Sequence, residues 1–281
     1  MVKLIAMDMD GTLLNGHRGI SWDNLKALRF ARSKGVTLAI ASGRAFFDIK
    51  NLMREIDMET HIIGTNGATI HTIDGKLLGA DALDRSEALA VVAELVKQNY
   101  YIGVYSEHHI YVPADGTEWL YEELERLHIH EDRSVGFQGA THDDFYRTFS
   151  DWHEIDKRGS EIFKIIICSY DDAKLQKARG IYEAKHRYSI VSSGIGNFEI
   201  MAPNVSKGNA LYQLSNYLDI PLSDVMAIGD NYNDLSMFEV AGISVAMGNA
   251  DDVIKSKCDR VTLNCNEDGV AHAIYEELKA K

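Results

Sequence analysis

Asp8-Met9-Asp10-Gly11-Thr12 delivers two carboxylates, one residue apart, at the end of the apolar run Leu4-Ile5-Ala6-Met7. Alternate side chains of a strand turn to opposite faces, so Asp8 and Asp10 share a side only if the chain stays extended up to the turn. Gly11 allows the bend there. Carboxylates crowded at the end of a buried strand repel each other, a cost that a cation or a proton relieves. The chemistry expected of such a pair is metal-assisted work on an anion. Asp-x-Asp-Gly strings also occur in calcium loops and plain turns. A helix-loop-helix calcium site wants a third oxygen ligand two places on and a Glu six residues after the glycine, where this chain has Thr12 and His17.

Three further polar groups stand at the ends of apolar runs or the starts of helices, where an open parallel sheet gathers its ligands. Val36 to Ala41 ends in Ser42-Gly43-Arg44, offering a hydroxyl, an unhindered amide and a guanidinium just ahead of a helix. Amides at a helix start bind phosphate well, although Ser42 standing alone reads as a helix cap. Lys207 begins a helix, where the macrodipole disfavours a cation unless an anion is near. Val225 to Ile228 runs into Gly229-Asp230-Asn231-Tyr232-Asn233-Asp234, a second acidic pair at a second strand end. The combination argues for one shared site.

The elements that must position these groups alternate. A strand at Leu4 to Met7, a helix from about Ser21 to Lys34, a strand from Val36 to Ala41, a helix near Ala45 to Glu55 and a strand at His61 to Ile63 open the chain. Ser21 and Gly35 are suited to cap the first helix. The pattern resumes with a helix from about Ser206 to Leu218, a strand Val225 to Ile228, a helix near Leu235, a strand Ser244 to Met247 and a final helix to Lys281. This predicts an α/β fold, a Rossmann-like parallel sheet with helices on both faces. Between the halves lie aromatic and β-branched runs, Tyr100 to Tyr105 and Phe163 to Ile167, with helices at Ser86 to Gln98 and Asp171 to Glu183. An inserted α+β domain is expected at about 84–192, leaving 1–83 and 193–281 as the core.

Other features read as structural. Gly194-Ile195-Gly196 lacks the third glycine of a dinucleotide loop and is taken as a turn between strands. His108-His109 and the pair His128 and His130 have no closely spaced third ligand, and Trp22, Trp119 and Trp152 are expected to pack.

Composition sets outer bounds. The 281 residues are 46% hydrophobic with 3 prolines, enough for one large or two moderate domains. A formal net charge of −13 opposes nonspecific binding to nucleic acid or an anionic membrane. Cys168, Cys258 and Cys265 form neither a complete disulfide framework nor a zinc quartet, which fits a reducing compartment. The amino terminus is too short and too soon charged for a signal sequence or a span, so a cytoplasmic protein is expected. The oligomeric state stays open, a monomer being compatible with the sequence.

Taken in order, Asp8-Met9-Asp10-Gly11-Thr12, Ser42, Lys207 and Gly229-Asp230-Asn231-Tyr232-Asn233-Asp234 resemble the four motifs of the haloacid dehalogenase superfamily. The whole chain resembles its Cof-type phosphatases, whose large cap (class IIB) is inserted between the second and third motifs. Thr65-Asn66-Gly67-Ala68 before the insertion and Asn197-Phe198-Glu199-Ile200-Met201 after it extend the likeness. The resemblance implies Asp8 as nucleophile, forming an aspartyl-phosphate, and Asp10 as general acid and then base. It implies Mg2+ held by Asp8, the Asp10 carbonyl and Asp230, with Asp234 in support. Lys207, Ser42 and the amides of Met9 and Gly43 would hold the phosphoryl oxygens, assisted by Asn233. Arg44, Asn66 and Gly67 are core-side candidates for substrate contact. The implied substrates are small phosphorylated metabolites, sugar phosphates foremost. A hexose-phosphate mutase with the same intermediate and a noncatalytic phosphometabolite sensor are the alternatives.

Overall fold

The computed structural model describes residues 1–17, 19–129, 143–157 and 159–279. The chain opens with β1 (Leu4–Met7), α1 (Trp22–Ser33), β2 (Thr37–Ala41), α2 (Phe46–Glu55), β3 (His61–Gly64), β4 (Thr69–His71) and β5 (Leu77–Ala80). There follow α3 (Arg85–Lys97), β6 (Tyr101–Ser106), β7 (Ile110–Pro113), α4 (Gly116–Arg126), β8 (Tyr146–Phe149), α5 (His153–Lys157), β9 (Ile162–Cys168), α6 (Asp172–Glu183), β10 (Ser189–Val191) and β11 (Asn197–Met201). It closes with α7 (Lys207–Tyr217), β12 (Val225–Gly229), α8 (Leu235–Val240), β13 (Ile243–Ala246), α9 (Asp252–Lys255), β14 (Arg260–Val261) and α10 (Gly269–Lys279).

Two compact units result, Met1–Gly79 with Ser206–Lys281, and Ala80–Val205. The first holds a sheet in the order β14-β13-β12-β1-β2-β3-β4-β5, parallel from β14 through β3 and antiparallel between β3 and β4. Strand alternation sends Ile5 and Met7 of β1 to one face, against Leu28 of α1, Ile49 of α2 and Ile274 of α10. Leu4 and Ala6 go to the other, against Leu211 and Leu214 of α7 and Phe238 of α8. Helices therefore cover both faces, as parallel strands require. Ser21 caps α1 by accepting from the Asn24 amide, and Gly35 takes φ +79° just beyond its end. Trp22 does not pack: as the first residue of α1 it is 62% exposed, with Lys26 and Arg29 set over its ring.

The second unit has its own sheet, β10-β11-β9-β6-β7-β8, antiparallel apart from β7 with β8. Helices α3 and α6 bury Leu89, Val92, Leu95, Leu175 and Tyr182 against Ile102, Val104, Ile165, Ile167 and Phe198. On adjacent strands of that sheet Lys164 is buried against Glu199 at 3.2 Å, with the Tyr105 ring beneath its ammonium. Strand β11 lies beyond the expected domain edge at 192, yet it pairs with β9 and β10, so this sheet runs on to Met201. Gly194-Ile195-Gly196 turns between β10 and β11. No helix among the described residues is long and apolar enough to cross a membrane. His130 and the last two residues of the expected final helix lie outside the described residues.

Candidate active site

Parallel pairing aligns Met7 with Ile228 on one side and with Ile40 on the other, while Ala41 aligns with Ile63. Four neighbouring strands thus end at one level. Asp8, Asp230, Ser42 and the Thr65–Gly67 turn follow those ends directly, which is how positions far apart in sequence become neighbours.

Strand β1 stops at Met7, so Asp8 and Asp10 do not stay on one extended face, and each goes to a different cation. The ammonium of Lys207 donates to Asp8 Oδ1 at 2.6 Å and to Asp234 Oδ1 at 2.7 Å. Lys207 is the first residue of α7, behind the Ser206 cap, where the macrodipole opposes a cation. Burial also disfavours its charge, yet Asp234 and Asp8 together hold it protonated beyond the ordinary lysine range. Asp234 accepts the Asp230 and Asn231 amides on its other oxygen, so both of its oxygens are engaged inside the protein. Asp230 accepts the Thr12 hydroxyl at 2.9 Å.

Among the described residues one cluster of possible metal ligands exists, Asp8, Asp230 and Asp234, with ligand atoms all within 4.8 Å of one another. Burial pushes the Asp8 carboxyl well up, with Asp234 and Asp230 adding to it against the pull of Lys207. Burial and then Asp234 push Asp230 up to about 7. Three carboxylates facing one ammonium leave surplus negative charge among hard oxygen donors, which fits Mg2+. Asp10 stands outside this cluster. Arg44 grips its carboxylate with two bonds, Nε to Oδ2 at 2.7 Å and Nη2 to Oδ1 at 2.6 Å.

Arg44 makes a further contact. Its Nη1 donates to Asp48 Oδ2 at 2.9 Å, so carboxylates engage three nitrogens of the guanidinium. Ser42 is not the cap of α2, since Ala45 occupies that position without a side-chain cap bond; its buried hydroxyl accepts the Arg44 amide at 3.2 Å. That leaves the hydroxyl proton to donate. The Met9 side chain is in the core, and its carbonyl accepts the Thr12 and Leu14 amides. Asn66 adopts φ +57° and its Oδ1 accepts from Asn233 Nδ2 at 3.1 Å, and a Cβ on Gly43 would sit 3.1 Å from the same Oδ1. Gly67, at φ +103°, fits closely against the Ser206 carbonyl at the start of α7. Gly43, Asn66, Gly67 and Asn233 are thus brought together.

Sequence reasoning left three participants without a role. Thr12 and Asn249 both hold Asp230: Asn249 Nδ2 lies 2.8 Å from the Gly11 carbonyl and 3.4 Å from Asp230 Oδ2, while its Oδ1 accepts the Cys265 amide. Asn249 closely follows β13, so the strand-end rule that found Asp230 points to it as well. Asp48 stands four residues after Arg44 at the start of a helix, the spacing of a helical ion pair.

The family model for haloacid dehalogenase-like hydrolases matches residues 5–274. The chain belongs to that family. This hydrolase is 38% identical over 286 residues to phosphatase YwpJ of Bacillus subtilis, covering 99% of this chain and 100% of the relative. It is 35% identical over 288 residues to the B. subtilis 5-amino-6-(5-phospho-D-ribitylamino)uracil phosphatase YwtE, covering 100% and 99%. Among solved structures it is similar to a haloacid dehalogenase-like hydrolase from B. subtilis, at TM-score 0.84 and 35% identity over 97% of this chain and 99% of that one. Family and relatives together define a phosphoric monoester hydrolase.

Proposed function

We propose that this hydrolase is a Mg2+-dependent phosphatase of small phosphorylated metabolites, sugar phosphates foremost, working through an aspartyl-phosphate on Asp8. The observation that carries it is the placing of Asp8, buried, bonded to Lys207 and beside Asp230 and Asp234. A structural ion pair needs no second and third acid; a nucleophile that must meet a phosphate dianion needs cations around it. An anionic oxygen and each phosphate charge repel by on the order of 4 kcal/mol at 4 Å and moderate effective dielectric.

Asp8 and Asp230, with the Asp10 carbonyl, would hold the metal, and Asp234 would stand behind them. Mg2+ supplies charge that lets an anionic nucleophile and a phosphoryl group approach. Asp8 attacks phosphorus, forming the acyl phosphate bond as the bond to the leaving oxygen breaks. Asp10, entering this step protonated, gives that oxygen its proton and is left as a carboxylate. The same carboxylate then takes a proton from water, whose oxygen displaces Asp8 and releases inorganic phosphate. Lys207 keeps a third N–H beyond its two bonds to aspartate, and this, the Ser42 hydroxyl and amides near Met9 and Gly43 steady the phosphoryl oxygens. Asn233, whose Oδ1 is buried without a partner among the described residues, donates to Asn66 and would assist this group.

The second unit, Ala80–Val205, is read as the cap that selects the leaving group. Relatives at 35% and 30% identity are named 5-amino-6-(5-phospho-D-ribitylamino)uracil phosphatases, so a phosphorylated polyol chain joins the hexose phosphates among candidate substrates. A cytoplasmic setting goes with metabolites of this class. The test is phosphate release from sugar phosphates, nucleotides, flavin mononucleotide, pyridoxal phosphate and the ribitylaminouracil phosphate, with and without Mg2+, beside Asp8→Asn. Metal-dependent release that vanishes in Asp8→Asn is the expected result. Release that persists in a folded Asp8→Asn protein would overturn the nucleophile, and turnover only with a bisphosphorylated sugar would make the enzyme a mutase.

A further inference from the structure

We infer that Asp48 is a positioning residue of this reaction, acting through Arg44 to fix where the Asp10 carboxylate stands. The inference rests on the reading of Asp10 as acid and base. Arg44 bridges two carboxylates, Asp10 through Nε and Nη2 and Asp48 through Nη1. The Arg44 and Asp48 side chains are 5% and 1% exposed, while that of Asp10 keeps 25%, so the two partners deeper in the protein present the third to the solvent side.

Each member of the chain is anchored independently of Asp10. Asp48 lies in the first turn of α2, where the macrodipole favours a carboxylate, and its amide donates to the Ala45 carbonyl. The Arg44 backbone is tied on both sides, its amide to Ser42 Oγ and its carbonyl to the Thr65 amide. A planar guanidinium held at one nitrogen by a buried carboxylate has a fixed orientation, and its two-bond grip passes that orientation to Asp10. Without Asp48 the guanidinium could rotate about its long stem, and the Asp10 carboxylate would follow it. The second consequence is separation of roles. Asp8 and Asp10 are two residues apart, and a site rich in acids invites both to serve one cation; Arg44 holds the Asp10 carboxylate away from the Asp8, Asp230 and Asp234 cluster. Asp48, isosteric to Asn, does this through Arg44.

The test compares kcat/KM, which reads through phosphoenzyme formation, for an aryl phosphate with a good leaving group and an alkyl monoester with a poor one. Only the second needs its leaving oxygen protonated as the bond breaks. In Asp48→Asn, kcat/KM for the alkyl monoester is expected to fall roughly tenfold or more, within the reach of general acid catalysis, and for the aryl phosphate less than about threefold. Inhibition by inorganic phosphate, which reports ground-state binding, should keep its constant, and Asp48→Glu should recover part of the loss. Arg44→Lys, which keeps the charge and loses the fork, should show the same selective pattern and serves if Asp48→Asn folds poorly. Equal losses for both leaving groups, or weakened phosphate inhibition, would overturn the inference and make Asp48 and Arg44 structural or substrate-binding. Asp10→Asn is the reference: leaving-group discrimination there without any in Asp48→Asn or Arg44→Lys sinks the positioning role alone. No discrimination in Asp10→Asn overturns the acid role and this inference together.

Discussion

Lys207 Nζ lies 2.6 Å from Asp8 Oδ1 although 199 residues separate them, and neither side chain is more than 8% exposed. The same ammonium neutralises Asp234, so one buried cation serves two buried anions.

Removing that cation should cost more than a surface pair would. Lys207→Met keeps the volume of the side chain and leaves Asp8 and Asp234 facing each other unpaired, a loss of about 3 to 5 kcal/mol for a broken buried pair. Urea unfolding in the presence of a chelator should show it, more strongly at pH 8 than at lower pH, since burial pushes the Asp8 carboxyl well up and its protonation removes one of the facing charges. Turnover should be lost. Stability equal to the parent at pH 8 would mean that the pair contributes nothing net to folding.

Asp230 carries the opposite sign. Its carboxyl titrates at about 7 in the folded chain and near 3.8 when unfolded, so between those values the folded state binds more protons and stability falls as pH rises. At pH 8 without metal the parent bears that penalty in full. Asp230→Asn, which can still accept from Thr12, should therefore melt higher than the parent in a chelator. Added Mg2+ should stabilise the parent, by about 2.7 kcal/mol at a hundredfold excess over Kd, and leave Asp230→Asn nearly unmoved. Equal Mg2+ shifts in both proteins would remove Asp230 from the metal site.

His71 gives a pH response unrelated to chemistry. It is buried in β4 with its ring stacked on Phe46 at 3.6 Å, and burial, aided by Lys50, lowers its pKa from 6.5 to about 4. The unfolded chain thus takes up a proton that the folded chain refuses, and the contribution is complete above pH 6.5 and lost as pH falls towards 4. The loss is on the order of 3 kcal/mol at most. Denaturant unfolding at pH 7.5 and 5 should show a smaller pH difference in His71→Gln than in the parent; an unchanged difference would place the acid sensitivity elsewhere.

Much of this was legible before any coordinates. Period and capping determined the first half closely, because Ser21, Gly35 and the apolar face of α1 all act within a few residues of themselves. The polar residues at strand ends marked Asp8, Asp230, Ser42 and Lys207 because nothing in a buried strand or a helix start accounts for a charge there. Arg44 was legible only in part. Its position beside phosphate-binding amides is readable from sequence, whereas its bonds to Asp10 and Asp48 depend on which way a long side chain turns.

The sequence by itself determined the α/β core, the reaction class and the identities of the charged groups, since these follow from local periodicity and from residue types that only certain chemistry tolerates. The tertiary structure alone decided how those charges are shared. Asp8 and Asp234 answer to Lys207 while Asp10 answers to Arg44. It also decided that β11 completes the second sheet, because strand pairing couples residues about thirty positions apart by hydrogen bonds that no local pattern encodes.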